Sequence, residues 1–297
     1  MDYRRRVTVV FSLLLVLCLG ASVLLLMQMD RLRSDNTSGD VLYLPSSRTI
    51  KRLSLGYTGL AACIYWTRAV QYFGYKHRQQ ATDYPLLAPL LEITTDLDPK
   101  LSVAYQFGAT FLAQKPPAGA GQPDKAVELV EKGIREIPDQ WRLYYALGFL
   151  HSMERQDYLA AAKAFQRGSE VPNAHPALKI LAAAMAQQGG DRSTARLLWI
   201  TTYETTQDYL IRENAQQHIY ALRVDDDILH LTALIERYHA QTGKYPREMQ
   251  DLIRAGLLGG IPGDPLGHPY ILRPQGKIEV QSPQDLPFIT LGLPAGQ

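Results

Sequence analysis

Residues 138–172 read PDQWRLYYALGFLHSMERQDYLAAAKAFQRGSEVP. The two prolines that bound this stretch are 34 residues apart (172 − 138 = 34), and each closes a segment with the texture of a helix pair. Proline lacks the N–H that a continuing helix needs, and its fixed φ presets the turn into the next element. Tyr144, Leu147 and Gly148 mark a first helix, and Ala160 and Ala164 a second. Small residues belong where two helices cross closely, and large ones fill the gaps between neighbouring pairs. A helix pair repeating at 34 residues cannot bury its apolar face alone, so such units stack into a solenoid.

These residues resemble the tetratricopeptide repeat family. Its pattern has a large residue, leucine-glycine and an aromatic in the first helix, small and bulky residues in the second, and a closing proline. Here one unit reads Tyr144, Leu147, Gly148, His151, Ala160, Ala164 and Pro172. His151 and Ala164 depart from the aromatic positions, with Phe165 adjacent to the second. The preceding unit, residues 101–138, fits if the proline- and glycine-rich loop at 115–124 is an insertion. It follows a helix pair that ends at Asp96-Leu97-Asp98-Pro99. The following unit carries Leu178, Leu181, Ala182, Met185, Ala195 and Leu198, turns at Gly189-Gly190-Asp191, and has Thr206 in place of its closing proline. The resemblance covers residues 66–222. It implies an α-solenoid that holds another protein on its inner surface, where Gln106, Tyr145 and His151 are the candidate contacts.

Ahead of the repeats, residues 7–27 contain no charged side chain and follow Arg4, Arg5 and Arg6. Twenty helical residues span about 30 Å, the thickness of a bilayer's hydrocarbon core. The run is longer than the apolar region of a cleaved signal peptide, and Leu24, Leu25, Leu26 and Met27 occupy the place of cleavage residues. The reading is an uncleaved, single-pass anchor with the body of the chain outside the cytoplasm. Residues 30–40 (DRLRSDNTSGD) are polar and read as a linker. The expected organisation is therefore an anchor at 1–29, a linker at 30–43, repeats at 44–222 and a C-terminal module at 223–297.

In the last part, Asp225-Asp226-Asp227 reads as the cap of a new helix with Ile228, Leu231, Leu234, Ile235 and Tyr238 on its apolar face. Residues 270–273 and 277–281 flank Pro274-Gln275-Gly276 and read as a hairpin. Gly243-Lys244-Tyr245-Pro246, Leu252-Ile253, Ile261-Pro262 and the run Asp264-Pro265-Leu266-Gly267-His268-Pro269-Tyr270 resemble the soluble end of the major pseudopilin of type II secretion systems. The family form of the last run is Asp-Pro-Trp-Gly-Asn-Pro-Tyr, from which Leu266 and His268 depart. The family's prepilin-peptidase site and its calcium loop have no counterpart here. The expectation is a small α+β module whose turn at 264–270 is structural.

Composition narrows the function classes. Hydrophobic residues at 46% and charged residues at 20% are globular values, and a net charge of +2 with no dense basic stripe past Arg33 gives no sign of nucleic-acid binding. The cysteines, Cys18 and Cys63, suggest neither a disulfide nor a structural zinc site. No metalloprotease His-Glu pair, phosphate loop or nucleophile elbow occurs, so no catalytic residue, metal or cofactor is expected. The whole arrangement is similar to bacterial membrane-anchored repeat proteins. It implies a mainly α protein of the inner membrane, its bulk in the periplasm, that scaffolds other envelope proteins of pilus or secretion machinery. A pseudopilin-like structural subunit and an enzyme with a dispersed site are the alternatives.

Overall fold

The computed structural model describes residues 44–294 and, nearer the N-terminus, residues 13, 15–18, 20–24 and 28. The chain divides into two compact units, residues 1–45 and 46–297. In the first, the described residues of the uncharged run are helical. The anchor expected at residues 7–27 lies in large part outside the described residues, and the linker at 30–43 wholly so. Among the described residues, no helix is long and apolar enough to cross a membrane.

The second unit is mainly helical. Its helices are α1 (Ser47–Leu53), α2 (Thr58–Arg78), α3 (Leu87–Leu97), α4 (Ser102–Ala113), α5 (Pro123–Glu136), α6 (Trp141–Phe149), α7 (Tyr158–Ser169), α8 (Ala177–Gln188), α9 (Arg192–Thr205), α10 (Tyr209–Thr242) and α11 (Met249–Arg254). Two short strands follow, β1 (Ile271–Leu272) and β2 (Ile278–Glu279), antiparallel with Ile271 opposite Glu279. From α2 to α10 each helix packs against the one before it, and α4 also touches α6. The loop between α4 and α5 is tied down: the carbonyl of Pro117 accepts from the Tyr84 hydroxyl at 2.7 Å and lies 2.9 Å from His77 Nδ1.

One lock recurs in successive pairs. The ring of Tyr105 on α4 lies over Gly133 on α5, where an added Cβ would stand 2.7 Å from it. Tyr144 on α6 packs likewise on Gly168 on α7, where an added Cβ would stand 2.6 Å from the tyrosine Cβ and 3.4 Å from its ring, and 2.5 Å from Leu178. Both tyrosines donate their hydroxyl to the proline carbonyl six residues back, Tyr105 to Pro99 at 3.1 Å and Tyr144 to Pro138 at 3.0 Å. A glycine is required at each crossing, because only the absence of a side chain lets the tyrosine approach the partner helix this closely.

The register of the second helix differs from the expectation by one residue. α6 runs directly into a π-helical turn, Leu150–Glu154. A π turn accommodates one residue more than an α turn, and a loop at residues 155–157 joins it to α7. Gly148 faces Phe165, and the alanine of α7 with no exposure at all is Ala161. Ala160, expected at that crossing, is only partly buried.

The C-terminal part begins inside a helix. α10 is continuous for 34 residues and runs through the expected boundary at 222/223. Its N-cap is Asp208, whose carboxylate accepts from the amides of Leu210 and Ile211. Asp225-Asp226-Asp227 therefore does not cap a helix, which corrects the sequence expectation. Each aspartate instead holds a different element. Asp225, 2% exposed, accepts from Thr290 N at 3.0 Å, Thr290 Oγ1 at 2.6 Å and Leu291 N at 2.9 Å. Asp226 pairs with Arg192 and Arg196 of α9. Asp227 accepts from the Tyr270 hydroxyl at 2.9 Å. Around them, Ile228, Leu231 and Ile235 of α10 form a core with Leu252, Tyr270, Ile278, Val280 and Ile289.

The first half of α10 serves the helix pairs instead. Ala215 and Leu222 pack with Ala183, Ala186 and the fully buried Trp199. His218 is sandwiched between Trp199 and Phe288, at ring separations of 4.1 and 3.8 Å. Gln187 Oε1 accepts from Trp199 Nε1 at 3.2 Å and lies 2.9 Å from His218 Nδ1. Burial lowers the His218 pKa to about 4.

Candidate functional site

The tyrosine locks decide which residues face outward. Helical geometry turns successive side chains by about 100°. Tyr105 and Tyr144 point into their own pairs, so Gln106 and Tyr145, one residue on, emerge together on another side. There α4, α6 and the start of α8 bound a groove of about 610 Å³. Its floor and walls are largely apolar and aromatic, with Phe107 from α4, Trp141, Tyr145 and Phe149 from α6, and Leu178 from α8. Trp141, Tyr145 and Phe149 stand at i, i+4 and i+8, one helical stripe. Tyr145 stacks with Phe149 at 6.2 Å and meets Phe165 at 6.0 Å. Phe107, Tyr145 and Phe149 are all exposed.

Four polar groups punctuate this surface: Gln106, Thr110, Arg142 and His175. The Arg142 guanidinium lies over the Trp141 ring at 4.6 Å from its centroid, and Trp141 packs at 6.1 Å against His175. The arrangement offers aromatic faces for apolar side chains and a few donors and acceptors for a backbone, and it carries no carboxylate and no thiol.

Two of the three candidate contacts, Gln106 and Tyr145, line this groove together. His151 does not: it sits in the π turn, half-buried, its Nδ1 without a hydrogen-bond partner and its pKa lowered by burial. Trp141 and Phe149 were missed by sequence reasoning. The available signal was an aromatic stripe on α6 outside the core face formed by Leu143, Tyr144, Leu147 and Gly148. Of the repeat-signature residues, Tyr144, Leu147 and Gly148 are buried, Ala160 is partly so, and Pro172 lies in the turn between α7 and α8.

In the C-terminal module, the segment 264–270 is held by its own backbone. Asp264 Oδ1 accepts from the amides of Leu266 and His268, each at 2.9 Å. The amide of Asp264 donates to the His268 carbonyl at 2.8 Å, and that of Gly267 to the Asp264 carbonyl at 2.9 Å. Gly267 has φ +92, a left-handed value, between Pro265 and Pro269. Asp264 Oδ2 stands 3.5 Å from His268 Nδ1, and neither atom has a hydrogen-bond partner. Tyr270 is buried against Leu231 and Ile235, and burial, then the Asp227 carboxylate, raises its phenol pKa. Among the described residues, no group of three or more His, Cys, Asp or Glu is placed to hold a metal ion.

Compared with protein-family models and with curated proteins, the chain matches none.

Proposed function

We propose that the chain is a membrane-anchored scaffold whose tetratricopeptide-like helix pairs hold a partner protein of the cell envelope in the α4–α6–α8 groove. The observation that carries this reading is the juxtaposition of Gln106 and Tyr145, equivalent positions on successive inner helices, on one exposed aromatic surface. Grooves of this size, mostly apolar with a few polar groups, suit a short helical or extended segment whose bulky side chains anchor it. The absence of carboxylates and thiols from the lining favours holding over catalysis. Anchoring rests on the uncharged run at 7–27 after three arginines. On this reading the single-pass helix lies in a bacterial inner membrane and the body in the periplasm, with no cofactor and no nucleic acid in its work.

A pseudopilin-like structural subunit is the second reading, favoured by the turn at 264–270. The scaffold is preferred because the C-terminal module shares α10 with the helix pairs and is tied to α9 through Asp226. The test is co-purification from native membranes. The wild-type chain should retain a partner that a Gln106→Glu, Tyr145→Glu double variant loses, with both melting at the same temperature. Retention by the double variant would place the partner on another face.

A further inference from the structure

From residue 41 to residue 82 the sequence has no acidic side chain, while Arg48, Lys51, Arg52, Arg68, Lys76 and Arg78 fall within it. The rest of the chain holds 25 basic residues (31 − 6) against 29 acidic ones. The excess of positive charge is thus concentrated in α1, α2 and their flanks. The same elements carry an uncovered apolar face. Leu53 and Tyr57 are each 73% exposed, Leu60 62% and Ile64 52%. Tyr57, Leu60 and Ile64 follow one another at i, i+3 and i+7, so they form one stripe. Leu55, between the two helices, is 86% exposed, more than any other large apolar side chain described. It is held at φ +48, a left-handed conformation that costs a residue with a Cβ about 1–2 kcal/mol. The turn sets a leucine into the solvent at a conformational cost that its packing in this chain does not offset.

We propose that the α1–α2 face lies on an anionic lipid surface. Apolar side chains beside a cluster of cations are the pattern of an interfacial helix, which inserts its apolar stripe at the acyl boundary and sets its basic groups among the headgroups. The lipid surface matches both halves of the pattern, and the charge asymmetry selects anionic lipid over a neutral one. The position in the chain agrees. Only 19 residues separate Met27, the end of the uncharged run, from Ser47, the start of α1 (47 − 27 − 1 = 19). In this respect the inference rests on the anchor reading, and it assigns the body a defined face toward the bilayer. The groove residues Phe107, Tyr145 and Phe149 are not part of this face.

Cys63 is exposed next to Ile64 and gives the test a native handle. The full chain carrying Cys18→Ala, with a bimane label on Cys63, is incorporated into vesicles of brominated phosphatidylglycerol or brominated phosphatidylcholine. A second label site, Lys163→Cys in a Cys18→Ala, Cys63→Ala background, reports an exposed position on α7, outside the proposed face. The expected result is at least about twofold quenching of Cys63 in phosphatidylglycerol, little in phosphatidylcholine, and little at Lys163→Cys in either. Replacing Arg48, Lys51 and Arg52 by glutamate should remove the quenching. Equal signals at both label sites would overturn the proposal. So would quenching indifferent to lipid charge, or a label shielded by protein rather than lipid. A carbonate wash reports the anchor separately, because the label senses lipid whether the chain is inserted or bound from outside.

Discussion

Gly148 and Phe165 are in contact across the α6–α7 crossing: a Cβ on Gly148 would stand 2.5 Å from the phenylalanine ring. The ring fills the space a side chain would take. The same face of α7 buries Ala161 and sets Gly168 under Tyr144.

A larger residue at Gly148 must displace that ring. Gly148→Leu should lower stability by about 1–3 kcal/mol through overpacking, read as a fall in melting temperature. Ala161→Leu should cost a comparable amount, and Ala160→Leu clearly less. Equal losses at 160 and 161 would mean that Ala161 does not occupy the crossing.

Removing the Asp225 carboxylate strands two backbone amides and a hydroxyl. Asp225→Ala should cost at least about 2 kcal/mol, because hydrogen bonds to a buried charged acceptor are the strong ones. Asp226→Ala breaks only partly exposed pairs with Arg192 and Arg196 and should cost under about 1 kcal/mol. Proteolysis near the C-terminus should rise in the first variant and not in the second.

His218 makes stability depend on pH. Its folded pKa, about 4, lies below the ordinary histidine value, because burial between Trp199 and Phe288 opposes the charged form. Between about pH 6.5 and pH 4 the unfolded chain binds a proton that the folded chain does not. Stability from this group is complete above that window and declines as pH falls through it. The melting temperature of His218→Phe should change less across the window than that of the wild type. Parallel curves would remove His218 as the cause.

The turn at 264–270 separates backbone from side-chain roles. Gly267→Val forces a β-branched residue to φ +92 and should destabilise the chain by about 1–3 kcal/mol, although its surroundings are open. His268→Asn should be tolerated in stability and cellular function, since the histidine contributes its backbone to the turn and its Nδ1, 3.5 Å from Asp264 Oδ2, makes no hydrogen bond. Loss of function in a folded His268→Asn protein would assign the ring a chemical role.

The helix pairs were legible because proline, glycine and the tyrosine before each crossing act locally. Tyr144 and Gly148 carry their reason in the sequence, whereas the equivalence of Tyr105 emerged only from its place over Gly133. The one-residue shift at Ala160 was not legible, since nothing in residues 150–154 distinguishes a π turn from an α turn. Asp225 was misread because a helix-capping aspartate and a mid-helix acceptor for distant amides look alike until residues 290 and 291 are seen to fold back. Of the groove's lining, Gln106 and Tyr145 were named from their helix positions. Trp141 and Phe149 were hidden because exposed and buried aromatics share one helical period, and only the lock at Tyr144 tells which stripe faces out.

The central claim, that a partner lies in the α4–α6–α8 groove, is tested most directly by site-specific photocrosslinking in native membranes. A benzophenone side chain is placed singly at Tyr145, at Phe149, and at Lys163 on α7. One discrete adduct at Tyr145 and Phe149, absent at Lys163 and lost when Gln106→Glu is added, is the result expected. An adduct at Lys163 alone, or equal adducts at all three sites, would contradict the account.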